Sequence, residues 1–210
     1  MNIPAREALK RLQEGSRRFA EDEGAREIPT CQKRREELLA GQRPFAVILG
    51  CSDSRVPAEI VFDQGLGDLF VIRVAGNIVA PSQVGSVEFA VEVFGTRLVV
   101  VLGHSMCGAV TAAIDQLERS VESRSPNLRS IVDRVRPSVE GLLETNLHDS
   151  PEELLHQAVR ANIRASADHL RHGSQILEDM ILSDGLLVVG AEYNLETGVV
   201  DFFDGLPDPE

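Results

Sequence analysis

Two short stretches of this 210-residue chain bring metal-ligating and charged side chains close together. In GCSDSRVP, residues 50–57, Cys51, Asp53 and Arg55 alternate directly behind the apolar run FAVILG (45–50). In GHSMCGAV, residues 103–110, His104 and Cys107 stand three apart at the end of a second apolar run, RLVVVLGH (97–104). At the opening of a helix, a spacing of three puts an imidazole and a thiol on one face, and the helix dipole favours the thiolate a metal needs. Taken alone, the pair is also what a buried cysteine beside an unrelated histidine would give. Cys51 changes that balance: it too follows a buried strand, and parallel strands open their carboxyl ends onto one edge, where ligand sites gather. Two thiolates and one imidazole suit zinc and leave a tetrahedral position open, as in a catalytic rather than a structural site. In an extended segment, residues 51, 53 and 55 point the same way, so Arg55 could grip Asp53 bidentately and keep it ionised beside the metal. The same spacing equally allows a surface ion pair worth under about 1 kcal/mol.

The elements that must position these groups read as one α/β unit. Continuous, β-branched runs at 45–50, 69–76 and 97–104 predict strands buried on both faces, the habit of a parallel sheet covered by helices. Between the second and third runs, a crossover helix starts at Ser82 and sets Val84, Val87, Ala90, Val91 and Phe94 on one face. Near the end, GLLVVGAEYNLETGVVDFF predicts two strands joined by a turn at Thr197 and Gly198, the last at an antiparallel edge. The expected architecture is therefore a central, mainly parallel sheet with an antiparallel edge strand, flanked by helices and preceded by a helical arm. The whole chain, 1–210, reads as a single domain: arm 1–41, metal-site core 42–118, a variable helical insertion at 119–150, and C-terminal helices and strands at 151–210.

Within the arm, Leu9, Leu12 and Phe19 form a thin stripe over 3–20, suited either to a second subunit or to the chain's own surface. A second short helix runs from a Thr30 cap to Gly41. Segment 119–150 is polar and turn-rich around RSIVDRV and reads as surface decoration. Ser150, Pro151 and Glu153 predict a capping box opening a helix that buries Leu155, Val159, Ile163 and Leu170, with another helix near 174–182.

Composition excludes several function classes. A net charge of −12 repels nucleic-acid phosphates and anionic membranes. No stretch approaches the ~20 apolar residues of a membrane span, and the N-terminus lacks a secretory apolar core, so a cytoplasmic protein is expected. Three cysteines at 31, 51 and 107 suggest thiolate chemistry rather than a disulfide framework, with Cys31 a free thiol. His148, His156, His169 and His172 lie in polar or helical segments and read as solvated. GLGDLF (65–70) lacks the third glycine of a dinucleotide fingerprint and precedes a strand.

CSDSR, followed about fifty residues later by HSMC, resembles the Cys-x-Asp-x-Arg and His-x-x-Cys signature of the β-class carbonic anhydrases, and the order of motifs matches from Gln42 through Gly108 and again at VVGAEYNLETG. The resemblance implies zinc held by Cys51, His104 and Cys107, an Asp53–Arg55 catalytic dyad, and reversible hydration of carbon dioxide to bicarbonate. It also implies a homodimer or homotetramer whose interface forms a narrow apolar cleft, with Gln42 bonding the substrate, Phe70 and Phe89 as its aromatic wall, and Gly108 offering a backbone N–H. Phe89 stands where plant relatives carry a tyrosine. Some relatives shut down when the aspartate becomes a fourth zinc ligand, and pair this with a bicarbonate pocket of tryptophan, arginine and tyrosine. Arg73 and Tyr193 match two of those positions, but Ile48 occupies the third and the chain has no tryptophan. The same motifs also suit hydrolysis of carbonyl sulfide or carbon disulfide, a non-catalytic zinc module closed by Asp53, or a redox pair of Cys51 and Cys107.

Overall fold

In a computed structural model, which describes residues 3–22, 32–119 and 125–208, five strands form one sheet in the order β2-β1-β3-β4-β5. These are β1 (Ala46–Gly50), β2 (Leu69–Arg73), β3 (Leu98–His104), β4 (Leu187–Tyr193) and β5 (Val200–Asp204). The first four are parallel and β5 lies antiparallel to β4, so the mixed sheet expected from the uninterrupted apolar runs is the one formed. Every residue of β1 and β3 is buried, because helices cover both faces.

One face carries α4 (Pro81–Val93), α5 (Gly108–Arg119), α6 (Pro126–Val139) and α7 (Pro151–His172), with α8 (Gln175–Ser183) beside them. The other carries α1 (Ala5–Ala20) and the short α3 (Ala58–Val61). Helix α2 (Gln32–Leu38) buries none of its residues. The Thr30 cap and Cys31 lie outside the described residues, as does the His148 side chain.

Several expectations change. The stripe on α1 is not left for a partner: Ala8 and Leu12 are fully buried against the chain's own sheet, and Arg18 Nε donates to Asp63 Oδ2 at 2.6 Å. Segment 119–150 is more than decoration, since α6 runs fourteen residues and sinks Val132, Val135 and Val139 into the core. At Ser150 no capping box forms; its side chain makes no cap bond, and Glu153 instead accepts from Gln157 Nε2 at 2.8 Å. The first buried position also shifts by one residue, because Leu154 rather than Leu155 is buried with Val159, Ile163 and Leu170. Strand β2 ends at Arg73, short of residue 76, because the chain turns into a 3-10 segment at Ala75–Asn77 in which Gly76 has φ 70°.

Helix α7 lies close on the sheet through Ile163. A Cβ at Gly103 of β3 would come within 2.6 Å of this side chain, and one at Gly190 of β4 within 2.8 Å. Two glycines on adjacent strands thus form the seat for one isoleucine. Ile163→Ala empties that seat, and denaturant unfolding is expected to show a loss of about 2–5 kcal/mol.

Candidate metal centre

Cys51 follows the last residue of β1, and His104 is the last residue of β3, the strand beside it. By alternation Cys51 belongs to the α7 face and His104 to the α1 face, so the two meet across the end of the sheet. Cys107 arrives by a turn, not by a shared helix face: His104 is still strand, Met106 takes a left-handed φ of 56°, and α5 begins only at Gly108. Ser105 fastens that turn, its N–H bonding Tyr193 O at 3.0 Å and its Oγ accepting from Leu195 N at 2.9 Å. The Cys51 and Cys107 sulfurs and a His104 ring nitrogen lie within 4.8 Å of one another, all three residues buried.

The donor atoms are prepared for a cation. His104 Nδ1 donates to Ser105 O at 2.9 Å, which leaves Nε2 as the lone-pair nitrogen. That Nε2 is buried with no hydrogen-bond partner among the described residues, an orphan a metal would satisfy. The Cys107 thiol bonds to the Cys51 sulfur, and against the opposing cost of burial this lowers the Cys51 pKa to about 4, with His104 and the Gly76 N–H assisting. Cys107, sharing that bond and buried beside a thiolate, is pushed up despite the helix N–H groups of Val110 and Ala109. At His104, burial depresses the pKa, but the Cys51 sulfur and Asp53 carboxylate outweigh it and the net shift is upward.

Asp53 and Arg55 meet as the sequence suggested, though not along an extended strand. Asp53 Oδ1 accepts from the Arg55 N–H at 3.0 Å, a local turn that folds the guanidinium back onto the carboxylate. Arg55 Nε then reaches Oδ1 at 2.9 Å and Nη2 reaches Oδ2 at 2.8 Å. The Arg55 side chain holds the Asp53 carboxyl well below the usual carboxylate range. Asp53 Oδ2 stands 3.8 Å from His104 Nε2, at the side of the ligand group.

Other expected residues scatter. Phe70 and Phe89 come together, 6.3 Å between ring centroids, with Phe94 completing an aromatic trio at 5.9 and 5.5 Å. Gln42 is exposed ahead of β1, at the opposite end of the strand from Cys51; β1 alone puts on the order of 15 Å between its ends. Gly108 opens α5 beside Cys107 with open space where a Cβ would stand. Ile48 is fully buried, while Arg73 donates to Cys51 O at 3.1 Å and to Asp53 O at 2.6 Å. Arg73 therefore clamps the ligand loop, a role that its sequence position does not reveal. His169 and His172 are exposed; His156 is half-exposed between Glu153 and Glu192.

Residues 46–200 match the family model described as carbonic anhydrase. The chain belongs to the β-carbonic anhydrases. It is 39% identical over 199 residues to carbonic anhydrase 2 of Mycobacterium tuberculosis, covering 91% of this chain and 89% of that protein. It is 38% identical over 202 residues to a carbonic anhydrase of Mycolicibacterium smegmatis, covering 96% and 94% respectively. Among solved structures, the β-carbonic anhydrase CcaA superposes with a TM-score of 0.77 at 28% identity, over 94% of this chain and 95% of that one. The β-carbonic anhydrase CafA of Aspergillus fumigatus superposes with a TM-score of 0.73 at 27% identity, over 85% and 86%. As a carbonic anhydrase this chain is an enzyme, and among its described residues no helix is long and apolar enough to cross a membrane.

The protonation pattern sets a pH dependence for metal uptake. Near neutral pH Cys51 is already a thiolate, whereas Cys107 holds its proton, so a metal must displace it. Affinity is expected to rise with pH, with roughly one proton released per metal at pH 7. Calorimetric titration of the metal-free protein in buffers of different ionisation enthalpy measures that number, and a value of zero contradicts the assignment.

Proposed function

We propose that this carbonic anhydrase catalyses the reversible hydration of carbon dioxide to bicarbonate and a proton, using zinc held by Cys51, His104 and Cys107. The observation that carries the reading is the intact Asp53–Arg55 pair beside the free His104 Nε2. Zinc, when bound, polarises water so that it ionises near neutral pH and becomes a nucleophile toward carbon dioxide.

This chain's residues then orient the reactants. Asp53, kept anionic by Arg55, accepts a hydrogen bond from the attacking water at Oδ2, which turns the water's remaining lone pair toward the carbon of the substrate. With both its oxygens engaged by Arg55, the carboxylate stands beside the ligand group, the arrangement an open site needs. Gly108, at the start of α5, offers an N–H toward developing oxygen charge.

A second copy of the chain completes the cleft. Among the described residues strand β2 is a sheet edge with only β1 beside it, and next to it α4 leaves Phe89 49% and Val93 59% exposed. The aromatic trio lines this edge, and Gln42, remote from its own chain's metal ligands, is free to serve a partner's site. A homodimer, alone or paired into a tetramer, accounts for both facts.

Two measurements test the reading. Stopped-flow hydration of carbon dioxide should show turnover by the zinc-loaded protein, with Asp53→Ala retaining zinc but losing about 10²-fold or more in kcat. A non-catalytic module would instead lose metal, and a sulfur-substrate hydrolase would turn over carbonyl sulfide while leaving carbon dioxide untouched. Phe89→Asp, which puts a charge into the exposed aromatic face, should shift the mass seen by light scattering toward the monomer and depress hydration while zinc content stays unchanged.

A further inference from the structure

Helix α7 carries two polar side chains, Asn162 and Ser166, where its register calls for apolar ones. Asn162 lies between Val159 and Ile163 on the buried face and is only 2% exposed. Its Nδ2 donates to the Gly76 carbonyl at 2.8 Å, joining residues 86 apart in sequence. Gly76 in turn directs its N–H at the Cys51 sulfur, 3.4 Å away. Its φ of 70° suits glycine, and a Cβ there would meet Ala109 Cβ at 2.9 Å, so the turn is shaped for close approach to the start of α5.

We infer that Asn162 is a positioning residue of the metal centre, fixing from α7 the Gly76 turn whose N–H is bonded to the Cys51 sulfur. The carbonyl that Asn162 holds lies in the peptide after Gly76, and the N–H on sulfur lies in the peptide before it. Holding one peptide plane limits rotation about Gly76 and thereby aims the other. The same peptide is also tied through the Asn77 N–H to Val74 O at 3.0 Å, so without the Asn162 bond that turn bond alone restrains it and the sulfur's donor is held less firmly. Helix α7 is a suitable anchor, since Ile163 is seated over Gly103 and Gly190 on two strands.

This inference rests on the metal reading, and the experiment separates the two. Zinc affinity of wild type, Asn162→Leu and Ser166→Ala is measured by competition with a chromophoric chelator. Ser166 is buried one turn further along the same face, 6% exposed, and serves as the control for disturbing α7. Asn162→Leu is expected to weaken zinc binding about 10–100-fold and to shift the thiolate-to-cobalt charge-transfer band of the cobalt-substituted protein. In the metal-free protein, hydrogen exchange of the peptide spanning residues 74–79 should accelerate in Asn162→Leu. Ser166→Ala should change none of the three. Unchanged affinity together with unchanged exchange in Asn162→Leu overturns the role, as does an equal loss in Ser166→Ala. If Asn162→Leu fails to fold by circular dichroism, Asn162→Ala decides: it removes the Nδ2 donor without adding bulk, and the same weaker zinc binding and faster exchange are expected. A wild type that binds no zinc would overturn the metal reading alone, and the exchange rates would still decide whether Asn162 fixes the turn.

Discussion

Everything at this centre depends on the parallel pairing of β1 with β3, with Gly50 opposite Leu102. That register brings the chain just past β1 and the end of β3 to the same edge, so that Cys51 and His104 meet although fifty-three residues separate them. Strand side chains alternate with a period of two, so a slip of one residue would carry one ligand to the wrong face. The slip is prevented by burial on both faces: β1 and β3 have no exposed side at all, and each face is keyed to its own set of helices. The hydrophobic core is thus the device that sets a distance between sulfur and nitrogen.

Bringing two sulfurs, an imidazole and a carboxylate into buried contact creates an electrostatic problem that the surrounding backbone solves. The Cys51 sulfur is served by the Gly76 N–H and Cys107 by the N-terminus of α5, both fixed donors that favour thiolate. The remaining negative charge, Asp53, is drawn to the rim by Arg55, whose side chain is 52% exposed and therefore stays well solvated. The loop that carries Cys51 and Asp53 is tied down by Arg73, which binds the carbonyls of both. In this arrangement the two arginines do different things: Arg55 acts on the side chain of the dyad and Arg73 on its backbone.

The legible part of this molecule was the part governed by periodicity. Uninterrupted apolar runs announce strands buried on both sides, and from them a mainly parallel sheet and the edge on which Cys51 and His104 must meet follow. Cys107 was placed correctly for an incorrect reason, because a spacing of three looks helical whereas Met106 in the left-handed region does the work of closing the turn. Asp53 and Arg55 were also joined correctly, but by a local turn rather than by strand alternation. Helix α6 was undervalued because its valines are diluted by arginine and serine, so that burial of Val132, Val135 and Val139 emerges only once α5 and α7 are in place. Asn162 did leave a trace, a polar residue in an apolar stripe, but its partner Gly76 is 86 residues away and no pattern along the chain links them.

The positions that sequence pattern missed share a physical character. Ser105, Asn162 and Arg73 act by bonding backbone and Gly76 by offering its own, and a backbone group has the same identity in every residue, so its partner cannot be read from residue type. Metal ligands are conspicuous because thiol and imidazole are rare and chemically distinct; the groups that hold them are ordinary. Yet a centre built on loops past the strand ends needs those groups more than one built within strands, since no sheet ladder holds Asp53, Met106 or Gly76 in place. The core delivers the three ligands to one place, and these few side-chain-to-backbone bonds keep the donor atoms aimed at one point within it.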